Sequence, residues 1–361
     1  MALQCGITGV VNSGKTTIFN SLSNSRGEIN RFGESKPNLG TIQVPDRRLR
    51  ELEKRQKTER VVPTTMEIVD IPGLMKGGGA TAGNRFLAEI RNSDALIHVV
   101  RCFDNDDAPH PDGSVNPVRD IENINLELQM RDLESVEKKI ERLERLIKTG
   151  DKDALKGVDV LKKCAGHLGD FGDIRSLNLN ATELRYVEEL FLLTMKPVLY
   201  VCNVDQGSAA SGNDWSRQVA SYLEERGEEM ITIAGSLEAD IAELNHPEER
   251  LEFLHDAGLE EPGVNRLVRA AYSLLNLKTF FTIGPKEIRA WTIHDGMKAP
   301  EAAGVIHSDL ERGFIRAEVM KYDDFIRMGS ESACKEAGRF FVEGKNYVVE
   351  DGDIVFVRFN V

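Results

Sequence analysis

Residues 9–16 read Gly9-Val10-Val11-Asn12-Ser13-Gly14-Lys15-Thr16, and this stretch decides the fold. It matches GxxxxGK followed by Thr, and it lies between an apolar run at 3–11 and a helical pattern at 17–22. A strand that enters such a loop and leaves it as a helix turns several backbone N–H groups toward phosphate oxygens. Lys15 is then the cation for the β and γ oxygens, and the Thr16 hydroxyl is a ligand for Mg2+.

Two further motifs fall where a nucleotide-binding sheet needs them. Asp70-Ile71-Pro72-Gly73 closes the apolar run 61–69. Asp70 can hold Mg2+ through water, and the Gly73 N–H can sense a γ-phosphate. The glycine-rich residues 73–83 read as a mobile switch loop. Leu74 stands where Ras-like enzymes carry the glutamine that orients the attacking water, and a leucine cannot do so by hydrogen bonding. Asn203-Val204-Asp205-Gln206 follows the run 197–202, at the place of the base-reading NKxD motif. Gln206 replaces the carboxylate that accepts guanine N1–H and N2–H, which removes the main source of strict guanine preference.

Working outward, the apolar runs 3–11, 61–69, 95–100 and 197–202 predict buried strands, and 39–44 with 230–234 would complete a six-stranded sheet. The expected class is α/β, a largely parallel sheet covered on both faces. Residues 120–195 differ in composition. There Leu126, Leu133, Val136, Ile140, Leu143 and Ile147 form one apolar seam on a charged helix ending at Gly150. A second pattern at 182–194 carries Leu184, Val187 and Leu190, so an antiparallel helical hairpin is expected. From Lys278 onward, short β-type runs broken by glycine predict a small mixed β domain.

The 361 residues carry 41% hydrophobic and 29% charged side chains, which excludes a mainly disordered or fibrous chain. A net charge of −13 argues against coating of nucleic acid or of an anionic membrane by the whole surface. No apolar run approaches the roughly 20 residues of a membrane span, and the N-terminus has no basic leader, so a cytoplasmic protein is expected. Cys5, Cys102, Cys164, Cys202 and Cys334 are scattered without CxxC spacing, which indicates reduced, mostly buried thiols.

On GVVNSGKTTIFN, KPNLGTIQVPDRRL, VPTTMEIVDIPGLMKG, GNRFLAEIRNSDALIHVVRCF and, above all, TFFTIGPKEIRAWTIHDGMKAPEAAGVIHSDLERGFIRAEV, the chain resembles the YchF or Obg-like ATPase family of Obg-related P-loop proteins. The resemblance implies a Ras-like G domain over 1–277, interrupted by a coiled-coil insertion at 120–195, and a TGS (ubiquitin-like) domain at 278–361. It implies Mg2+-dependent hydrolysis of ATP, with GTP accepted too, and association with the ribosome and RNA through the TGS domain and the insertion. A monomer without membrane attachment is expected.

The nucleotide-binding set is then Asn12, Ser13, Gly14, Lys15, Thr16, Thr17, Gly73, Asn203, Val204, Gln206, Ala234, Gly235 and Ser236. His110, in RCFDNDDAPHP, aligns with a family histidine that assists hydrolysis, beside Lys15. A neutral imidazole could orient water toward the γ-phosphate in a closed state. The metal set is Thr16, Asp70 and Glu34. Glu34 departs from the family, which has a threonine there, and Ser35 is the alternative ligand. Gln206 also departs, from the family's NxxE, and the glycine-rich switch loop is shorter. Arg289, Lys298, Arg312, Arg316 and Lys321 are candidate RNA contacts, whereas Trp291 and Phe281 read as core. The rival reading is a nucleotide-sensing ribosome adaptor with little hydrolysis, favoured by Glu34, Leu74 and Gln206.

Overall fold

The computed structural model describes residues 3–23, 38–73, 79–148, 150–244 and 246–360. Along the chain run β1 (Gln4–Thr8), α1 (Lys15–Leu22), β2 (Asn38–Gln43), α2 (Arg47–Arg55), β3 (Arg60–Val62), β4 (Thr65–Asp70), α3 (Gly79–Asn92) and β5 (Ala95–Cys102). Next come α4 (Pro117–Ile147), α5 (Lys152–Gly169), α6 (Ala181–Val187), β6 (Val198–Val204), α7 (Asp214–Glu224), β7 (Met230–Ile233), α8 (Gly235–Glu243), α9 (Pro247–Asp256) and α10 (Gly263–Leu274). The remainder comprises β8 (Leu277–Ile283), β9 (Glu287–His294), α11 (Ala299–Ile306), α12 (Ser308–Arg312), β10 (Phe314–Lys321), α13 (Tyr322–Met328), α14 (Glu331–Glu336), β11 (Phe341–Glu343) and β12 (Asp353–Phe359).

The chain forms two compact units: Met1–Ile42 with Glu67–Leu267, and Gln43–Met66 with Val268–Val361. The segment Gln43–Met66, which the sequence reading left in the N-terminal domain, thus groups with the C-terminal residues.

In the first unit six strands lie in the order β2-β4-β1-β5-β6-β7, with β4, β1, β5, β6 and β7 parallel. All eight residues of β5 are buried, as expected of a strand covered on both faces. The expected strand at 61–69 is broken in two. Pro63 has no N–H for a ladder, and the chain resumes as β4 in this sheet while β3 pairs with β9 in the other. Register sets Ile7 opposite Asp70, Thr8 opposite His98 and Arg101 opposite Asn203, so chemistry-bearing side chains gather at the carboxyl ends of parallel strands.

The helical insertion is present, with a different second helix. Helix α4 spans 31 residues, about 47 Å, opening on an Asn116 cap and Pro117. Its long partner is α5, and of the 182–194 pattern only the part within α6 is α-helical, yet Leu184, Val187 and Leu190 do join the apolar cluster of the α4 seam. Val136 packs with Leu161, Cys164 and Leu168, and Leu133, Ile140 and Leu143 flank them; Leu126 is exposed and outside the seam. Lower on α4, Ile121, Ile124 and Leu128 enter the core of the parallel sheet with Val100 and Cys102.

The second unit is a mixed sheet, β11-β10-β12-β8-β9-β3, with parallel β12–β8 and β9–β3 pairs and antiparallel pairs elsewhere. Leu49 and Leu52 of α2 pack beside Phe281, Ile288 and Phe325 on one face; Phe280, Ala302 and Val355 belong to a second cluster. Among the described residues, no helix is long and apolar enough to cross a membrane.

Candidate functional site

The loop between β1 and α1 curls as its sequence demands. Gly9, Asn12 and Gly14 all have positive φ, and a Cβ on Gly14 would collide with the Asn203 side chain. Gly14 caps α1, so the first-turn amides of Lys15, Thr16 and Thr17 have no partner within the helix and converge on one spot. Lys15 is buried, and its Nζ donates to the Val10 carbonyl at 2.8 Å. Burial pulls the Lys15 pKa down to about 8 against the opposing pull of Asp70. An ammonium held this way is ready to exchange a carbonyl for a phosphate oxygen.

Asp70 ends β4, facing the loop. Its Oδ2 accepts the Thr16 hydroxyl at 2.7 Å, while its buried Oδ1 has no hydrogen-bond partner among the described residues. Burial raises the Asp70 pKa, opposed by the Thr16 hydrogen bond and the Lys15 charge. A carboxylate oxygen with spare lone pairs beside a hydroxyl is a hard-oxygen donor set that fits Mg2+. Gly73 lies close by: a Cβ there would be 2.9 Å from Lys15 Nζ and 3.0 Å from the Val11 nitrogen. Any side chain there would crowd the Lys15 ammonium and Val11.

Asn203 clasps the site from β6. Its Nδ2 donates to the Ser13 carbonyl at 2.9 Å, and its Oδ1 accepts the Gly235 N–H at 2.8 Å. One amide thereby ties the phosphate loop to the start of α8. Ala234 and Gly235 are buried at that start, Ser236 is exposed, and Val204 is buried in the sheet core. Gln206 is exposed and donates through Nε2 to Asp240 Oδ2 at 2.8 Å.

His110 lies on the loop after β5. Its ring is buried, with Nε2 2.8 Å from Asp120 Oδ2 and Nδ1 accepting the Asp112 N–H at 3.1 Å. Among the described residues, none of its hydrogen bonds reaches Lys15, Thr16 or Asp70. The loop carrying it is nevertheless bound to the phosphate loop: Asn12 Nδ2 donates to the Pro109 carbonyl at 3.0 Å. Arg101, fully buried, donates to the carbonyls of Asn12, Phe103 and Ala108.

The structure brings Lys15, Thr16, Asp70, Gly73, Asn203 and Gly235 to one end of the sheet, and it adds Arg101, Asp120 and His98, which the motifs do not name. A guanidinium inside the apolar run ALIHVVRC was the available signal for Arg101. Glu34, Ser35 and Leu74 lie outside the described residues, and of the expected switch loop at 73–83, residues from Gly79 onward are helical in α3. The C-terminal basic residues are largely neutralised: Lys321 pairs with Asp353 and Glu350, Arg316 with Glu318, and Arg312 with Asp309. Phe281 is core, and Trp291 is partly buried under the Arg289 guanidinium. All five cysteines are buried, and burial pushes the Cys5 thiol up to about 12.

Comparison with known proteins agrees with this geometry. Residues 4–147 match a family model described as 50S ribosome-binding GTPase, and residues 277–360 match one for the YchF-GTPase C-terminal region, described as a protein of unknown function. The chain is 47% identical to the "Ribosome-binding ATPase YchF" of Pasteurella multocida and 44% identical to that of Bacillus subtilis, covering the full length of both partners in each comparison. The solved structure of the Schizosaccharomyces pombe YchF GTPase superposes with a TM-score of 0.88 at 32% identity, covering 99% of this chain and 98% of that one.

Proposed function

The chain belongs to the YchF family, and on that premise we propose that it is a Mg2+-dependent P-loop ATPase that associates with the ribosome and turns over slowly by itself. The observation that carries the reading is the convergence of Lys15, Thr16 and Asp70 on the loop at the head of β1. Lys15 and the first-turn amides of α1 hold the triphosphate, and Thr16 with Asp70 holds the metal. Bound Mg2+ would neutralise charge on the β- and γ-phosphoryl oxygens. Asn203 fixes the loop while Gly235 and Ser236 flank the base. Gln206 offers the base a neutral amide in place of the aspartate that reads guanine in NKxD. His110 orients water once its ring reaches the γ-phosphate. The C-terminal unit is read as a TGS domain, contributing with the α4–α5 hairpin to ribosome contact. The paired Arg312, Arg316 and Lys321 are poor candidates for that contact.

Calorimetric titration with ATPγS and GTPγS in the presence of Mg2+ tests the proposal. The expected result is ATPγS binding that exceeds GTPγS binding and is lost in Lys15→Ala. Undiminished ATP turnover by Lys15→Ala would refute it. The specific observation favouring an adaptor with little hydrolysis is that both His110 nitrogens are already bonded.

A further inference from the structure

We propose that Asp120, in the first turn of α4, is a positioning residue that stows His110 and so ties turnover to the inserted helical hairpin. The inference rests on the role given to His110 above. A neutral imidazole has one donor and one acceptor nitrogen. The Asp112 amide hydrogen occupies Nδ1, so the ring proton sits on Nε2 and goes to Asp120 Oδ2 at 2.8 Å. The two side chains are 2% and 1% exposed. With both nitrogens engaged, the ring has nothing left to offer a water molecule.

The surroundings define what must move. The backbone up to Pro109 is anchored to the phosphate loop by Asn12 and by the buried Arg101. Release of His110 therefore requires rotation of its side chain next to that anchor, not transport of a whole loop. Asp120 is held at the helix start. Its N–H donates to the Asn116 carbonyl at 3.1 Å, and Arg119, which donates to the Ser114 carbonyl, lies 3.4 Å from its Oδ1. The next turns of α4 are packed in the sheet core through Ile121, Ile124 and Leu128, and the distal turns pack on α5. A load on the hairpin is thus delivered by one continuous helix to the carboxylate that retains the histidine. A partner that engages the hairpin and shifts the first turn of α4 frees the ring.

The test is single-turnover ATP hydrolysis by the full-length protein without ribosomes, comparing the parent with Asp120→Ala, Asp120→Asn, His110→Ala and the Asp120→Ala/His110→Ala double variant. Removal of one buried hydrogen bond predicts about a tenfold rise in the hydrolysis rate for Asp120→Ala, with KM unchanged. Asp120→Asn keeps an acceptor for Nε2–H and rises about threefold, which carries the test if the alanine variant fails to fold. The double variant returns to the His110→Ala rate, a coupling that mere loosening of the fold would not produce. Where parent turnover depends on His110 and neither Asp120 variant exceeds it, the stowing role is overturned and the ATPase reading stands. A rise that persists in the double variant overturns it equally. Absence of hydrolysis in the parent and in both Asp120 variants removes the ATPase reading and the stowing role together.

Discussion

The interiors of the two units differ in how completely their polar groups are paired. In the C-terminal unit, buried Asp353 accepts from Tyr347, Lys321 and the Glu350 amide, Thr279 meets Tyr272, and Glu318 takes the Arg358 guanidinium. Among the described residues of the N-terminal unit, Thr8 Oγ1, Ser13 Oγ, Asp70 Oδ1 and His98 Nε2, on or beside the strand ends that frame the phosphate loop, are buried without hydrogen bonds, as is Arg119 Nε on α4. Each such group costs about 1–3 kcal/mol. The first arrangement serves the fold alone. The second is what the proposed nucleotide site would use, since a bound ligand could satisfy the groups at the strand ends.

Breaking the comparison at its strongest point, Lys15→Ala should lose ATP affinity by more than about a hundredfold, as befits removal of a charge-assisted contact. The melting temperature of the ligand-free protein should hold or rise, because a buried ammonium has been removed. Asp353→Ala should do the reverse, losing about 3 kcal/mol in urea unfolding while ATP affinity at a permissive temperature is unchanged. An affinity loss there would erase the distinction between the units.

Proton linkage sharpens the contrast further. His98 is held neutral, its pKa lowered to about 3 chiefly by burial and also by Lys15 and Arg175. The unfolded ring takes its proton near 6.5, so this contribution to stability is complete above that pH. It is lost as pH falls toward 3, at up to about 1.4 kcal/mol per unit. A His98→Gln variant should flatten that part of a pH series of unfolding curves. Lys15 works from the other side. With a folded pKa of about 8 against 10.5, the unfolded state binds more protons between those values, so ligand-free stability gains from Lys15 as pH rises through that window. A triphosphate restores the ammonium, and binding at pH 9 should take up protons, visible as heats that vary with buffer ionisation enthalpy. The smallest effect is expected at exposed Gln206, where Gln206→Asp, which restores the acid of NKxD, should shift preference toward GTPγS by up to about tenfold in the same titration.

How much of this was legible in sequence follows the range of each interaction. The phosphate loop, Asp70 and Asn203 were legible because short motifs and strand-end positions report backbone geometry directly. Strand breakage at Pro63 was legible in principle, but the apolar residues on either side masked a missing donor. Helix α5 escaped because Gly157, Gly166 and several lysines dilute the seam formed by Val158, Leu161, Cys164 and Leu168. The bond between His110 and Asp120 joins a loop to a helix start, and no local periodicity encodes it. Arg101 is satisfied by carbonyls, and carbonyls have no sequence signature.

Return of the chain from β3 to β4 through Pro63 and Thr64 bears on inheritance. Because Gln43–Met66 belongs with Val268–Val361, a recombination event that exchanged only the C-terminal coding segment would leave Leu49 and Leu52 of α2 without Phe281 and Phe325 to pack on. The C-terminal unit is consequently no transferable cassette. An engineered chimera must graft residues 43–66 together with the tail.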